Sequence, residues 1–286
     1  MSITDALQAF LMLVAALILP IVALNEVGGF QALVAAADES AYWQWSGANS
    51  GWFALGFVIG MVSIGFGPIG QPHLLTRIMA MADEQAIGRA RSIAIGWFVL
   101  VLGGMYVLGV CGHVLGMSVD NGEQVFFVLA EDLLPAVVTG VLIAAVLSAI
   151  MSTADSQLLV AGSALHHDMK VKMTRHAASS ARVADLLVAT AAILLAALIP
   201  ESIFSRVLFA WTALGAAFGP IAIARFLDWQ LKVWAIPISM GLGFVLTVIF
   251  YLLPNGPGDV WERAVPFVTA FVTLFMARTS IGKDSD

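Results

Sequence analysis

Apolar runs long enough to cross a bilayer recur eight times along the chain, and this recurrence constrains the fold more than any other feature. A spanning helix needs about 20 mostly apolar residues to cross a hydrocarbon core of about 30 Å. The runs are Leu7–Leu24, Trp52–Gln71, Ile93–Gly112, Leu134–Leu165, Val183–Pro200, Val207–Ala224, Trp234–Leu253 and Ala264–Ala277. The last is short, and Trp261 and Arg263 extend it by interfacial anchoring and snorkelling. Lipid offers a peptide group no hydrogen-bond partner, so runs of this kind span as helices. The expected fold is an all-α polytopic membrane protein with about eight transmembrane helices in a single transmembrane domain, residues 1–286.

Composition closes other routes. Charged residues make up 11% of the 286 positions and apolar ones 60%, against about 25% charged in a soluble globular protein. A chain so poor in charge is neither an ordinary soluble enzyme nor a disordered polypeptide. The net charge of −6 also argues against a nucleic-acid partner, because phosphate recognition needs clustered Lys and Arg. The single cysteine, Cys111, rules out a disulfide framework and any multi-cysteine metal site. The first run has no basic flank and no small-residue cleavage site, so it reads as a span and not as a secretory signal. No hydrophilic stretch is long enough to form a separate soluble domain.

Basic residues orient the chain. When the loops are numbered alternately, one set holds Arg77, Arg89, Arg91, Lys170, Lys172, Arg175, Arg182, Arg225, Lys232, Arg278 and Lys283, and the other only Arg206 and Arg263. Positive charge accumulates on the cytoplasmic side, so the first set is internal. Glu26, Asp38, Glu39, Asp120, Glu123, Glu131 and Asp132 fall in external loops. An even number of spans then places both termini in the cytoplasm of a multi-pass protein of the cell membrane.

The second span is irregular. It carries Gly56, Gly60, Gly65, Gly67, Pro68, Gly70 and Pro72, and ends in Gly67-Pro-Ile-Gly-Gln-Pro-His73. Proline removes a backbone donor, and glycine tolerates unwound geometry. Such backbone is compatible with membrane depth only inside protein or beside a watery cavity. Two readings stand: a broken helix whose free backbone groups meet a solute or ion, or a span that ends at Gly67 and continues as a cytoplasmic turn.

The fourth span places Ser148, Ser152 and Ser156 on one face at a spacing of four, with Ala149 and Thr153 beside them. Hydroxyls and carbonyls on one face suit a hard cation, and they equally cement helix–helix contacts. Asp155 lies among them, an ionisable group that must face protein, water or the cytoplasmic interface. In the sixth span, Ala213-Leu-Gly-Ala-Ala-Phe-Gly-Pro220 has the small-residue spacing of close helix packing. His166, His167 and Asp168 read as a solvated helix end, and His113 and Cys111 as packing residues.

Four strings together resemble the solute:sodium symporter family, and within it the sodium/proline symporters. They are Gly70-Gln-Pro-His73 with the following Leu74–Ala80, Glu123-Gln-Val-Phe-Phe-Val-Leu-Ala130, Ala149-Ile-Met-Ser-Thr-Ala-Asp-Ser-Gln-Leu-Leu-Val160 and Ala213–Pro220. The resemblance implies a LeuT-type fold of two inverted repeats. Residues 1–24 would be the last helix of the first repeat, 52–224 the second repeat and 234–277 accessory helices. It also implies that about five helices precede Met1 in a full member, so that a missing N-terminal half would be the chain's partner.

On the same resemblance, Ala149 gives a main-chain carbonyl to sodium, while Ser152 and Thr153 give hydroxyl oxygens. Phe66, Pro68, Gln71 and Pro72 lie along the substrate path. The implied function is sodium-coupled symport of a small organic solute, proline or a related amino or carboxylic acid, by alternating access. Sodium is co-transported, no organic cofactor is required, and the lipid bilayer is the other partner. The chain departs from proline carriers at Ile64 and Pro68, where those carriers place aromatic residues. Two alternatives remain open on the sequence: a non-transporting membrane module or remnant of a carrier, and an intramembrane enzyme using Asp155 with His166 or His167.

Overall fold

The computed structural model of the protein describes residues 2–39, 44–46, 49–81, 83–117, 122–165, 177–198, 202–254 and 256–279. Among these residues the regular elements are helices, with an isolated antiparallel bridge between Leu231 and Arg278. Six helical stretches are long and apolar enough to cross a membrane: Ala6–Glu26, Gly51–Gly70, Glu84–Val114, Ala136–Ser163, Ile203–Phe226 and Ala235–Leu252. They coincide, to within two residues where an expected end lies outside the helix, with the first four expected spans, the sixth and the seventh. The fifth falls in the helix Ala177–Leu198, and the eighth in the helix Val265–Met276, which has 12 residues. The chain forms two compact units, residues 1–43 with 81–200 and residues 44–80 with 201–286.

The first unit contains α1 (Ser2–Glu26), α2 (Phe30–Glu39), α5 (Glu84–Val114), α6 (Val125–Leu133), α7 (Ala136–Ser163) and α8 (Ala177–Leu198). Helix α5 starts where Asp83 accepts a 2.6 Å hydrogen bond from the Ala86 N–H, and Glu84 adds negative charge to the first turn. Lipid tails are as apolar as leucine, so close packing and hydrogen bonds hold such helices together. Ala15, Leu19 and Ala23 recur every four residues on α1 and are buried with Leu108 and Cys111 of α5, Leu129 and Ala130 of α6, and Leu142 and Ala145 of α7. A side chain at Gly104 of α5 would lie 2.6 Å from the Ala16 carbonyl oxygen, so that crossing needs glycine. The buried Thr139 hydroxyl donates to the Ala130 carbonyl at 2.8 Å, tying the end of α6 to α7. Bonds of this type within a membrane contribute about 0.6 kcal/mol on average.

The second unit holds the irregular span. Helix α3 (Gly51–Ser63) tightens into single 3-10 turns at Ile64–Phe66 and Pro68–Gly70, and the chain resumes as α4 (Pro72–Met79) after an extended Gln71. It packs with α9 (Ile203–Phe226) and α11 (Val260–Arg263), and through Phe66 with α12 (Val265–Met276), while α10 (Ala235–Leu252) packs on α9, α11 and α12. Buried Ser239 of α10 donates to the Ala270 carbonyl of α12 at 3.0 Å. Beyond α12, the Thr279 N–H donates to the Gln230 carbonyl at 2.9 Å, and the Arg278 guanidinium lies 5.6 Å from the Trp229 ring. The loop after α9 and the segment after α12 are therefore held at one end of this unit.

Arg263 departs from the snorkelling expected of it. Its side chain is buried, and Nη2 meets the Asp259 carboxylate at 2.6 Å. Asp259 has a φ of +52°, and this bend turns the acid back onto the following helix. Trp261 remains exposed, as an interfacial anchor would be.

Candidate functional site

The two groups of residues singled out by the sequence lie in different compact units, and each has its own geometry. The first is on α7. Leu142, Ala145, Ala149, Ser152 and Ser156 follow one another at alternating spacings of three and four, so they share one seam of the helix. Leu142 and Ala145 are buried in the core of the unit. Further along, Ala149, Ser152 and Ser156 are half-buried, while Thr153 is exposed beside the seam. The hydroxyl stripe thus continues a packing face and emerges from it.

Two of the hydroxyls bond back along the helix. Thr153 Oγ1 donates to the Ala149 carbonyl at 3.1 Å, and Ser156 Oγ donates to the Ser152 carbonyl at 3.0 Å. A hydroxyl has one proton and two lone pairs, and a carbonyl also has two. Thr153 Oγ1 therefore keeps acceptor capacity, while the Ala149 carbonyl accepts both the helical Thr153 N–H and the Thr153 hydroxyl. A hydroxyl oxygen with a free lone pair suits a hard cation. Asp155 is exposed on α7. His166, His167 and Asp168 lie outside the described residues, and among those described no group of three or more His, Cys, Asp or Glu is placed to hold a metal.

The second group is the irregular segment. Gly67 lies between two tight turns, Ile64–Phe66 and Pro68–Gly70, and a new helix begins at Pro72 after the extended Gln71. What holds this backbone is α9. A side chain at Gly67 would lie 2.8 Å from Trp211 Cβ, one at Gly70 2.7 Å from Gly215 Cα, and one at Gly215 2.8 Å from Gly67 Cα. The small residues of Ala213–Pro220 let α9 receive the tight turns, which is the packing role expected of them. Ala213, Gly215, Ala216, Ala217, Gly219 and Pro220 are all buried.

Of the expected path residues, Phe66 stacks on Phe267 of α12, with centroids 4.4 Å apart and an interplanar angle of 12°. Its ring is thus engaged within the unit. Pro68 and Pro72 are half-buried and open the second tight turn and α4. Gln71 is 4% exposed, and its side-chain nitrogen has no hydrogen-bond partner. Its backbone is fully used: the N–H donates to the Pro68 carbonyl, and the carbonyl accepts from the Leu74 and Leu75 N–H groups. His73 has its pKa pushed below the usual histidine value, first by burial and then by the nearby Arg77 charge. Sequence reasoning missed Trp211 and Phe267, which pack on Gly67, Gly219 and Phe66 from α9 and α12. The glycines were the available signal, since each marks a contact but does not name its partner.

A helical, multi-pass membrane protein with one span broken at glycine and proline is the class that these features define. The chain belongs to the sodium:solute symporter family, whose profile matches residues 1–227. It is similar to the high-affinity proline transporter PutP of Bacillus subtilis, with 32% identity over 290 residues, covering 96% of this chain and 59% of that protein. The osmoregulated proline transporter OpuE of the same organism is 32% identical over 263 residues, covering 87% and 52%. The sodium/proline symporter of Escherichia coli is 34% identical over 238 residues, covering 78% and 47%. The chain spans about half the length of the curated relatives it matches. No solved structure matches it. The family and these relatives are transporters and not enzymes.

Proposed function

We propose that the protein is a sodium-coupled symporter of a small organic solute, proline or a related amino or carboxylic acid, and that it works by alternating access. The observation that carries this reading is the irregular second span in a chain of this family, backbone of a kind that lies at membrane depth only inside protein or beside a watery cavity. The names of the relatives supply the solute and the ion. We propose eight spans in one transmembrane domain with a LeuT-type arrangement, both termini being cytoplasmic.

In this reading the Ala149 carbonyl and the Ser152 and Thr153 hydroxyls hold sodium, and Phe66, Pro68, Gln71 and Pro72 lie along the solute path. Sodium binding stabilises the outward-open state, and sodium and solute leave together on the inside. The ion acts only through its preference for one of the two states, since a ligand shifts an equilibrium by its differential affinity. Uptake of radiolabelled L-proline by cells producing the protein tests the reading. An inward sodium gradient should drive uptake several-fold above an equal potassium gradient, and equal uptake in the two salts would rule out sodium coupling.

A further inference from the structure

Gln71 is the one polar side chain in the broken segment that burial leaves without a partner. It is 4% exposed, and no acceptor is available to its amide nitrogen. Buried amides normally find partners, so an orphaned one calls for a specific explanation. The local backbone accounts for the position of the amide but not for its state. Gly70 is pressed onto Leu214 and Gly215 of α9, and the Gln71 N–H and carbonyl are already bonded within the segment. The side chain is also free of the usual duty at a helix start. Gln71 is the N-cap of α4, yet its side chain makes no capping bond. Pro72, the next residue, has no N–H to offer.

Of the two ends of this side chain it is the nitrogen, not the oxygen, that is buried without a partner, so the unmet need is for an acceptor. The amide NH2 offers two donors and no acceptor. It sits at the start of α4, where the aligned peptide dipoles place partial positive charge. A cation is repelled by both features, and an apolar group satisfies neither. An anionic oxygen satisfies both, since charge-assisted hydrogen bonds are shorter and stronger than neutral ones.

We propose that the Gln71 side-chain amide is the donor that recognises the carboxylate of the transported solute. This inference rests on the symport reading above and assigns a residue to the carboxylate that its proposed solutes share. Gln71 is then a specificity residue whose cost in the empty protein is an unpaired donor, removed when solute arrives. Removing the amide should therefore weaken solute binding without weakening the fold.

The test is sodium-dependent uptake and competition by cells producing the wild-type protein or Gln71→Met, together with thermal unfolding of both purified proteins. L-proline, glycine betaine, L-lactate and acetate are the carboxylate probes, and pyrrolidine is the carboxylate-free analogue of proline. For whichever carboxylate the wild type accepts, Gln71→Met should raise the half-saturating concentration roughly tenfold or more. Inhibition by pyrrolidine should stay the same, and the melting temperature should be equal or higher. Gln71→Leu, a second apolar variant, should behave in the same way. Unchanged half-saturation in both variants, or equal losses for carboxylate and pyrrolidine, would overturn the assignment and leave symport intact. A clear fall in melting temperature in both variants would make the amide structural and overturn it as well. A wild-type protein that takes up none of the four carboxylates would overturn this inference and the symport reading together.

Discussion

Thr153 and Ala149 are joined by a 3.1 Å hydrogen bond from the Thr153 hydroxyl to the Ala149 carbonyl, which brings two oxygens together on adjacent turns of α7. If sodium sits there, Thr153→Ala and Ser152→Ala should each weaken apparent sodium affinity. Each change removes an oxygen while keeping the helix, because alanine is the best helix former. A lost contact to a charged partner costs about 1.5–3 kcal/mol, or roughly tenfold or more in affinity. Ser156→Ala should matter far less. Equal effects at all three positions would mark the hydroxyl stripe as helix packing and nothing more.

The meeting of Gly67 and Gly215 makes a stability prediction. A methyl at Gly215 would lie 2.8 Å from Gly67 Cα and 3.0 Å from the Phe66 carbonyl oxygen, with backbone on both sides and no flexible side chain to yield. Overpacking of this kind costs about 1–3 kcal/mol. Thermal unfolding in detergent should show Gly215→Ala destabilised. Gly88→Ala, in a helix with nothing within 4 Å, should be neutral or stabilising. Equal melting points for the two variants would argue against the tight crossing.

Asp259 and Arg263 should respond unequally to removal. The Arg263 side chain is 8% exposed and that of Asp259 46%. Asp259→Asn strands a buried guanidinium, whose Nε and Nη1 already lack partners, and breaking a buried pair costs about 3–5 kcal/mol. That figure is an upper bound here, since water reaches the acid. Arg263→Met leaves only a half-exposed carboxylate that water can solvate. Chemical unfolding should therefore find Asp259→Asn the less stable of the two, and the reverse order would show that Arg263 is not held by Asp259.

Much of this was legible in the sequence, and the remainder has identifiable physical reasons. The six long helices follow from apolar runs, a local property of consecutive residues. The string Ala213–Pro220 was readable as a packing face because small residues at helical spacing have few other uses. Its partner was not readable, since nothing local to Gly215 encodes Gly67. Arg263 carried a signal that was passed over, an acid at i−4 in Asp259, and burial turned that pair from a snorkelling anchor into an ion pair. The hydroxyl spacing on α7 was legible, whereas the exposure of Thr153 beside a half-buried seam needed the fold.

The orientation drawn from basic residues is checked by reporter fusions. Reporters placed in the Asp120–Asp132 loop and in the Arg175–Arg182 segment should report opposite sides of the membrane, the first outside. The same side for both would overturn the eight-span topology.

The central claim is that sodium and solute cross together. Entry of 22Na+ and of tritiated L-proline, measured in parallel in the same membrane vesicles, tests it most directly. External proline should stimulate 22Na+ entry, with the two fluxes rising in a fixed ratio, and Thr153→Ala should need more sodium to reach the same proline flux. Proline entry with no accompanying sodium entry would contradict the account.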